Sequence, residues 1–342
     1  MATNPLELYR FAVEHTESAA GFYNRNVLAP SDAGPVIVRI PIHNADDMDL
    51  RVWPEHQVLT AIAPYVSAAP RVLHVSKSPA YQIHSYVEGK LLDDVAPKPE
   101  RVPGFVPSDV VALFRQLTNV PRERLPTLPL DWPRDEDTAE FARKLSDLTA
   151  SVYATFHHDF ASVFSAIGIP DDPLAPVLAS WSSLTRRPFR LVHADVHRKN
   201  MILSKEGTVF LDWELALWGD PLYELAVHFH KMRYQPADYD AVLQGWLRAI
   251  PPECTRGWEN DLAIYLAHER VKSAIVDTIR YTQLIASGTL SGDEKSHLVT
   301  KLVDKLTVAG STWGWKDTQH SHITPHAVEA AIHSWSGTPR RR

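Results

Sequence analysis

The sequence predicts an α+β protein of two lobes, a small one that contains a β-sheet and a larger one that is mostly helical. Three observations carry this expectation. At 342 residues the chain is about twice the size of a typical domain, so two cores or one large bilobed unit are expected. Short β-branched runs are concentrated in the first 89 residues, and from about residue 108 apolar positions recur mostly at helical spacing. Hydrophobic residues make up 44% and charged residues 22%, which fits a folded globular chain and excludes disordered and collagen-like classes.

Composition also bounds partners. The formal charge of −6 argues against a nucleic-acid partner, whose binding domain would usually be basic. No apolar run approaches the roughly 20 residues of a membrane span, so no membrane partner is expected. The opening residues lack a basic patch followed by an apolar stretch, and a cytoplasmic location is the expectation. Cys254 is the only cysteine, which rules out an internal disulfide and a Cys-pair zinc site.

The elements follow in order. Leu6, Tyr9, Phe11 and Val13 open a loosely amphipathic helix, and Val36-Ile37-Val38-Arg39-Ile40 reads as a strand. Residues 54–62 carry Pro in a first helical turn and apolar residues at helical spacing. Residues 72–75 and 81–86 read as a hairpin that closes at Glu88-Gly89, giving lobes of residues 1–89 and 90–342. A proline-rich stretch over 97–133 surrounds one helix at 108–117. Residues 135–185 are helical by period, a brief β segment spans 189–210, and helices return over 221–308.

The densest chemistry lies at Leu191-Val192-His193-Ala194-Asp195-Val196-His197-Arg198-Lys199-Asn200, followed by Thr208-Val209-Phe210-Leu211-Asp212-Trp213-Glu214. Residues 201–203 and 209–211 form two short strands around a Lys205-Glu206-Gly207 turn, and such a hairpin holds Asp195, Asn200 and Asp212 at one rim. Phosphoryl transfer uses that set: one carboxylate orients the attacking hydroxyl and accepts its proton, while an amide oxygen and a second carboxylate hold magnesium against nucleotide phosphates. A metal hydrolase built on His193, Asp195 and His197 is the competing active reading, but it gives Asn200 and the hairpin no role.

His193-x-Asp195-x-x-x-x-Asn200 followed by a strand ending in Asp212 resembles the catalytic motif and magnesium-binding aspartate shared by aminoglycoside phosphotransferases and protein kinases. Ala194 and Asp212-Trp213-Glu214 are similar to the antibiotic and small-molecule kinase branch rather than to protein kinases. Gly219-Asp220-Pro221-Leu222-Tyr223-Glu224-Leu225-Ala226 resembles the same branch, with Glu224 where Asp is usual. The resemblance implies a bilobed protein-kinase-like fold. It also implies a magnesium-dependent O-phosphotransferase that uses ATP or GTP on a small hydroxylated acceptor, an antibiotic of aminoglycoside or nucleoside type in a resistance role. A metabolite kinase of the choline- or homoserine-kinase kind and a non-catalytic kinase-like binding protein are the alternatives.

On this resemblance Asp195 is the catalytic carboxylate, His193 supports its loop, and Asn200 and Asp212 hold the metal. Gly21 and Asn24 belong to a small-residue turn near the phosphates. Arg39 stands where such kinases carry a strand lysine, Glu55 sixteen positions later is its partner, and Arg51 is its rival. Ser85 and Val87 lie on a hinge that would meet the base. Glu214, Trp218, His228 and Glu269 are candidates for the acceptor side. Residues 1–89 contain 6 Lys and Arg against 9 Asp and Glu, and the remainder 29 against 32, so the acidity is shared equally and does not mark a cation pocket. A monomer or homodimer is expected.

Overall fold

The computed structural model describes residues 4–15, 19–20, 24–42, 51–315 and 323–335, and Gly21 lies outside them. α1 (Pro5–Glu14) starts at Asn4, whose side chain accepts the Leu6 N–H. β1 (Ala19–Ala20), β2 (Asn24–Ala29), β3 (Val36–Pro41), β4 (Val72–Lys77) and β5 (Ala80–Ser85) form one antiparallel sheet in the order β1-β2-β3-β5-β4. Register places Val27 opposite Val38 and Val38 opposite Ile83, so one apolar row crosses the sheet. That row and Leu8 and Ala12 of α1 form a buried core, and Tyr9 stacks on Tyr81 with ring centroids 4.7 Å apart. α2 (Glu55–Ile62) follows β3 in sequence and buries Val58, Leu59 and Ile62.

After β5 the chain enters β6 (Lys90–Leu91), which pairs with the later strand at Met201–Ser204. Gly89 is required by close approach, because a Cβ there would lie 2.4 Å from the Leu203 carbonyl oxygen. α3 (Leu92–Val95), α4 (Val106–Thr118), α5 (Thr138–Ala166) and α6 (Ala175–Leu178) come next, and then β7 (Arg190–Val192). β8 (Met201–Ser204) and β9 (Gly207–Phe210) make the expected hairpin, and β10 (Leu217–Gly219) pairs with β7. The remaining helices are α7 (Pro221–Met232), α8 (Pro236–Ala249), α9 (Pro252–Thr255), α10 (Trp258–Ala286), α11 (Gly292–Gly310) and α12 (Pro325–His333). Among the described residues no helix is long and apolar enough to cross a membrane.

Two compact units divide the chain. One is Met1–Glu136 with Arg187–Arg256, and the other is Asp137–Arg186 with Gly257–Arg342. The boundary expected at Gly89 falls inside the first unit, which therefore contains both the five-stranded sheet and the β8–β9 hairpin. The hairpin is tied in by two backbone donors: Thr208 N–H reaches Asp109 of α4 at 2.9 Å, and Phe210 N–H reaches the Ala68 carbonyl at 2.9 Å. The second unit is a helical bundle of α5, α10, α11 and α12. Buried Trp181 donates to Ser146 at 2.9 Å, and Trp313 and Trp335 donate to the Pro173 and Asp159 carbonyls, each at 2.9 Å.

One buried ion pair secures the start of α7. Asp220 caps the helix by accepting Leu222 N–H at 3.0 Å, and Arg187 grips the same carboxylate with Nε and Nη2 at 2.7–3.1 Å. Neither side chain is exposed. Removing one member leaves a buried, uncompensated charge, which typically costs 3–5 kcal/mol. Arg187→Met is expected to lower the unfolding free energy by about 3–5 kcal/mol in urea titrations, and a loss below about 1 kcal/mol would show that water or another cation compensates Asp220.

Candidate active site

β7 delivers its chain into a loop whose backbone is fixed from α7. The Glu224 carboxylate accepts the N–H groups of His193 and Ala194, the latter at 3.1 Å, and Ala194 takes a left-handed conformation with φ 60°. Positive φ is uncommon for a residue with a Cβ, so the two hydrogen bonds hold a turn the chain would not choose unaided. Downstream, the buried Arg198 guanidinium donates to the carbonyls of Ala96, Glu100 and Met232. His228 of α7 lies 2.9 Å from the Val196 carbonyl through Nδ1 and 3.0 Å from the Tyr234 hydroxyl through Nε2. A carbonyl can only accept, so the proton sits on Nδ1 and the tyrosine donates to Nε2. Burial pushes His228 down to about 3, and the ring stays neutral.

The loop presents Asp195. Its Oδ2 accepts the Asn200 amide at 2.8 Å, and its Oδ1 is ion-paired with the Lys231 ammonium of α7 and lies 3.4 Å from His197 Nε2. Burial alone would raise this carboxyl, but the Lys231 and His197 charges outweigh it and hold Asp195 well below the usual carboxylate range. His193 is fully buried against Trp213, with ring centroids 4.3 Å apart, and burial lowers it to about 4. A neutral packed imidazole supports the loop and has no proton to trade near pH 7.

The hairpin brings Asn200 and Asp212 to one end. Met201 pairs with Phe210, and Leu211 N–H donates to the Asn200 carbonyl at 2.8 Å. Asp212 turns the chain in a left-handed conformation with φ 65°, and the following Trp213 N–H is received by Glu55 Oε1 at 3.1 Å. Glu55 also binds Arg39, with contacts of 3.0 and 3.1 Å. The same guanidinium lies 3.6 Å from Asp212 Oδ1 and 3.9 Å from Glu214 Oε1, and Asn24 donates to Glu214 Oε2 at 3.1 Å. Three carboxylates thus surround one arginine. Burial and the nearby Asp212 push Glu214 up to about 9, so it carries a proton at neutral pH. Burial would lower Arg39, but the carboxylates raise it and keep it charged.

A hard divalent cation fits this corner. Asp212 Oδ1 is buried with no hydrogen bond of normal length, the Arg39 guanidinium standing 3.6 Å away, and Asn200 has spent its amide nitrogen on Asp195, which leaves its amide oxygen for ligation. Magnesium takes one or two such protein oxygens and completes its shell with water and phosphate. Among the described residues no group of three His, Cys, Asp or Glu is arranged for a metal, so the hydrolase reading through His193, Asp195 and His197 finds no site.

Residues 14–259 match the family model described as the phosphotransferase enzyme family. The chain belongs to that family. Solved structures of similar fold include a choline/ethanolamine kinase family protein from Mesorhizobium loti, 15% identical, covering 96% of each chain with a TM-score of 0.56. A macrolide 2′-phosphotransferase from Brachybacterium faecium is 15% identical over 92% of this chain and 100% of its own, with a TM-score of 0.53. A thermostable mutant of an aminoglycoside phosphotransferase, in ternary complex with AMP-PNP and hygromycin B, is 16% identical over 96% of this chain and 99% of its own, with a TM-score of 0.51. At these identities the likeness establishes the kinase-like fold, α+β with a small antiparallel sheet. No curated protein matches the sequence.

Several residues in this phosphotransferase family member lie elsewhere than residue type suggests. Glu214, expected on the acceptor side, belongs to the Arg39–Asn24 cluster. Trp218 is buried on β10, and its carbonyl accepts the Trp132 indole at 2.8 Å. His228 is enclosed as the anchor of Val196. Glu269 lies in the second unit, fully buried and 2.6 Å from Lys272. Ser85 ends β5 with its N–H given to the Arg71 carbonyl at 2.9 Å, and half-buried Val87 follows the end of the strand. Arg51 is exposed, whereas Arg39 is buried. Lys231 escaped sequence reading because a lysine in the last turn of a helix reads as a solvated complement to the helix dipole.

Glu224 gives this site a measurable pH signature. Burial pushes its carboxyl up to about 7 against the pull of the Ala194 and His193 N–H groups, from an ordinary value of 4.5. The folded chain therefore favours the protonated form. This stabilisation is complete below pH 4.5 and is lost as pH rises through 7. The difference in unfolding free energy between wild type and Glu224→Gln should change by about 3 kcal/mol, against the wild type, from pH 4.5 to 8, and a difference that stays constant across that range would contradict the assignment.

Proposed function

We propose that the protein transfers the terminal phosphoryl group of ATP or GTP to a hydroxyl of a small molecule, with magnesium as cofactor. The observation that carries this reading is the joint placement of Asp195, Asn200 and Asp212 around the end of one hairpin, with Arg39 beside Asp212. Asn200 and Asp212 would hold the metal, which when bound neutralises phosphate charge. Arg39 would draw on the donor phosphates, positioned by Glu55.

In the transfer, the acceptor oxygen bonds to the terminal phosphorus while the bond from that phosphorus to the bridging oxygen breaks, and the nucleoside diphosphate leaves. The hydroxyl proton passes to Asp195. A carboxyl held so far below its ordinary range is a weak base, so Asp195 acts chiefly by orienting the hydroxyl, with the proton leaving late, as suits a loose phosphoryl transition state. The named relatives include kinases of antibiotics and of small metabolites, and an antibiotic of nucleoside or sugar type is the first acceptor class to examine.

Incubation with magnesium, ATP or GTP and a panel of hydroxylated antibiotics and metabolites should give one added phosphate by mass spectrometry. Asp195→Asn is expected to slow transfer by about 10²–10⁴-fold while nucleotide binding measured by calorimetry is retained. Undiminished transfer in that variant would overturn the mechanism.

A further inference from the structure

The acceptor hydroxyl must reach a carboxylate that already has a cation on it. Asp195 Oδ2 is occupied by Asn200, from the hairpin side. Oδ1 faces the Lys231 ammonium and His197 Nε2. Oδ1 is therefore the oxygen that both cationic side chains already face, and Asp195 is the least exposed of the three, at 13%. A hydroxyl that bonds to Asp195 therefore arrives in contact with Lys231.

Charge then decides which molecules can bring that hydroxyl in. Without Lys231, Asp195 and Asp212 would present negative charge to an incoming molecule and attract cations. With it, the charge of Asp195 is cancelled, and a cationic group on the acceptor meets an ammonium at close range. Taken alone, two like charges about 5 Å apart at an effective permittivity near 20 weaken binding on the order of 100-fold, and the opposing attraction to Asp195 together with partial solvent exposure reduces this to about tenfold. A hydroxyl, carboxylate or phosphate on the acceptor meets no such penalty, because it carries no charge of the same sign as the ammonium.

We infer that Lys231 is a specificity-determining residue that selects acceptors whose reacting hydroxyl has neutral or anionic neighbours and rejects aminated ones. This rests on the phosphotransferase reading of Asp195 and names the substrate class of that site. It separates the chain from the aminoglycoside and choline kinases whose fold it shares, since those acceptors are cations.

The test uses acceptors that differ in one group: glucose, glucosamine and gluconate, then glycerol, serinol and glycerate, with uridine as a neutral nucleoside and kanamycin and choline as cations. Phosphate transfer from magnesium and ATP, or GTP, is read by mass spectrometry and kcat/KM. The wild type should phosphorylate a neutral or anionic member at least tenfold better than its amine analogue. Lys231→Met should shrink that ratio about tenfold, and Lys231→Arg should preserve it. The ratio is taken within one protein sample and so does not depend on how much of each variant folds. An amine preferred by the wild type, or a ratio unchanged in Lys231→Met, overturns the inference. Transfer confined to amines and abolished by Asp195→Asn would refute the selectivity and leave the phosphotransferase reading standing. No transfer to any member would defeat both.

Discussion

Glu55 is the joint on which the site depends. One buried carboxylate receives the Arg39 guanidinium from β3 and the Trp213 backbone N–H from the turn after β9. That turn needs outside support, because Asp212 is in a left-handed conformation that side chains with a Cβ seldom adopt. Through Glu55 the sheet sets the position of Asp212, and through the hairpin register it sets Asn200. The arrangement is costly in charge. Glu55, Asp212 and Glu214 share one arginine, and burial together with the neighbouring Asp212 charge raises the Glu214 carboxyl well above its ordinary value. Asp212 Oδ1, buried and 3.6 Å from Arg39 with no hydrogen bond of normal length, is the oxygen offered to a cation.

The loop that carries Asp195 follows a different rule, in which rigidity comes from backbone hydrogen bonds to buried side chains. Glu224, Arg198 and His228 each hold main-chain groups, and residue chemistry alone does not mark any of them for that task. Their burial fixes the protonation of His228 and leaves Glu224 titrating near neutrality. Lys231 completes the loop from the last turn of α7 by neutralising Asp195, so a carboxylate can stay ionised where water is largely excluded.

What could be read from the sequence was what lies close along the chain or repeats with a structural period. His193, Asp195, Asn200 and Asp212 fall within one loop and hairpin, so their order and spacing imply their proximity. Arg39 and Glu55 were legible through the resemblance, whose strand position and sixteen-residue interval they match, and the structure pairs them. The fold class followed from strands early and helices late. Partners distant in sequence were not legible. Arg187 and Asp220 meet through the β7–β10 pairing, 33 positions apart. Glu214 is one residue beyond Trp213 and could face either side until the left-handed turn at Asp212 directs it toward Arg39. Trp218 and His228 have side chains suited to a ligand, but both are used in packing. No local pattern shows that the helix end carrying Lys231 lies over Asp195.

Metal binding at the Asp212 corner tests the account most directly. Manganese(II) can stand in for magnesium, and its binding in the presence of AMP-PNP can be followed by electron paramagnetic resonance. Manganese is expected to bind in a nucleotide-dependent manner and at least about tenfold more weakly in Asp212→Asn, where a charged ligand to the metal is lost. Equal manganese binding by wild type and Asp212→Asn would contradict it.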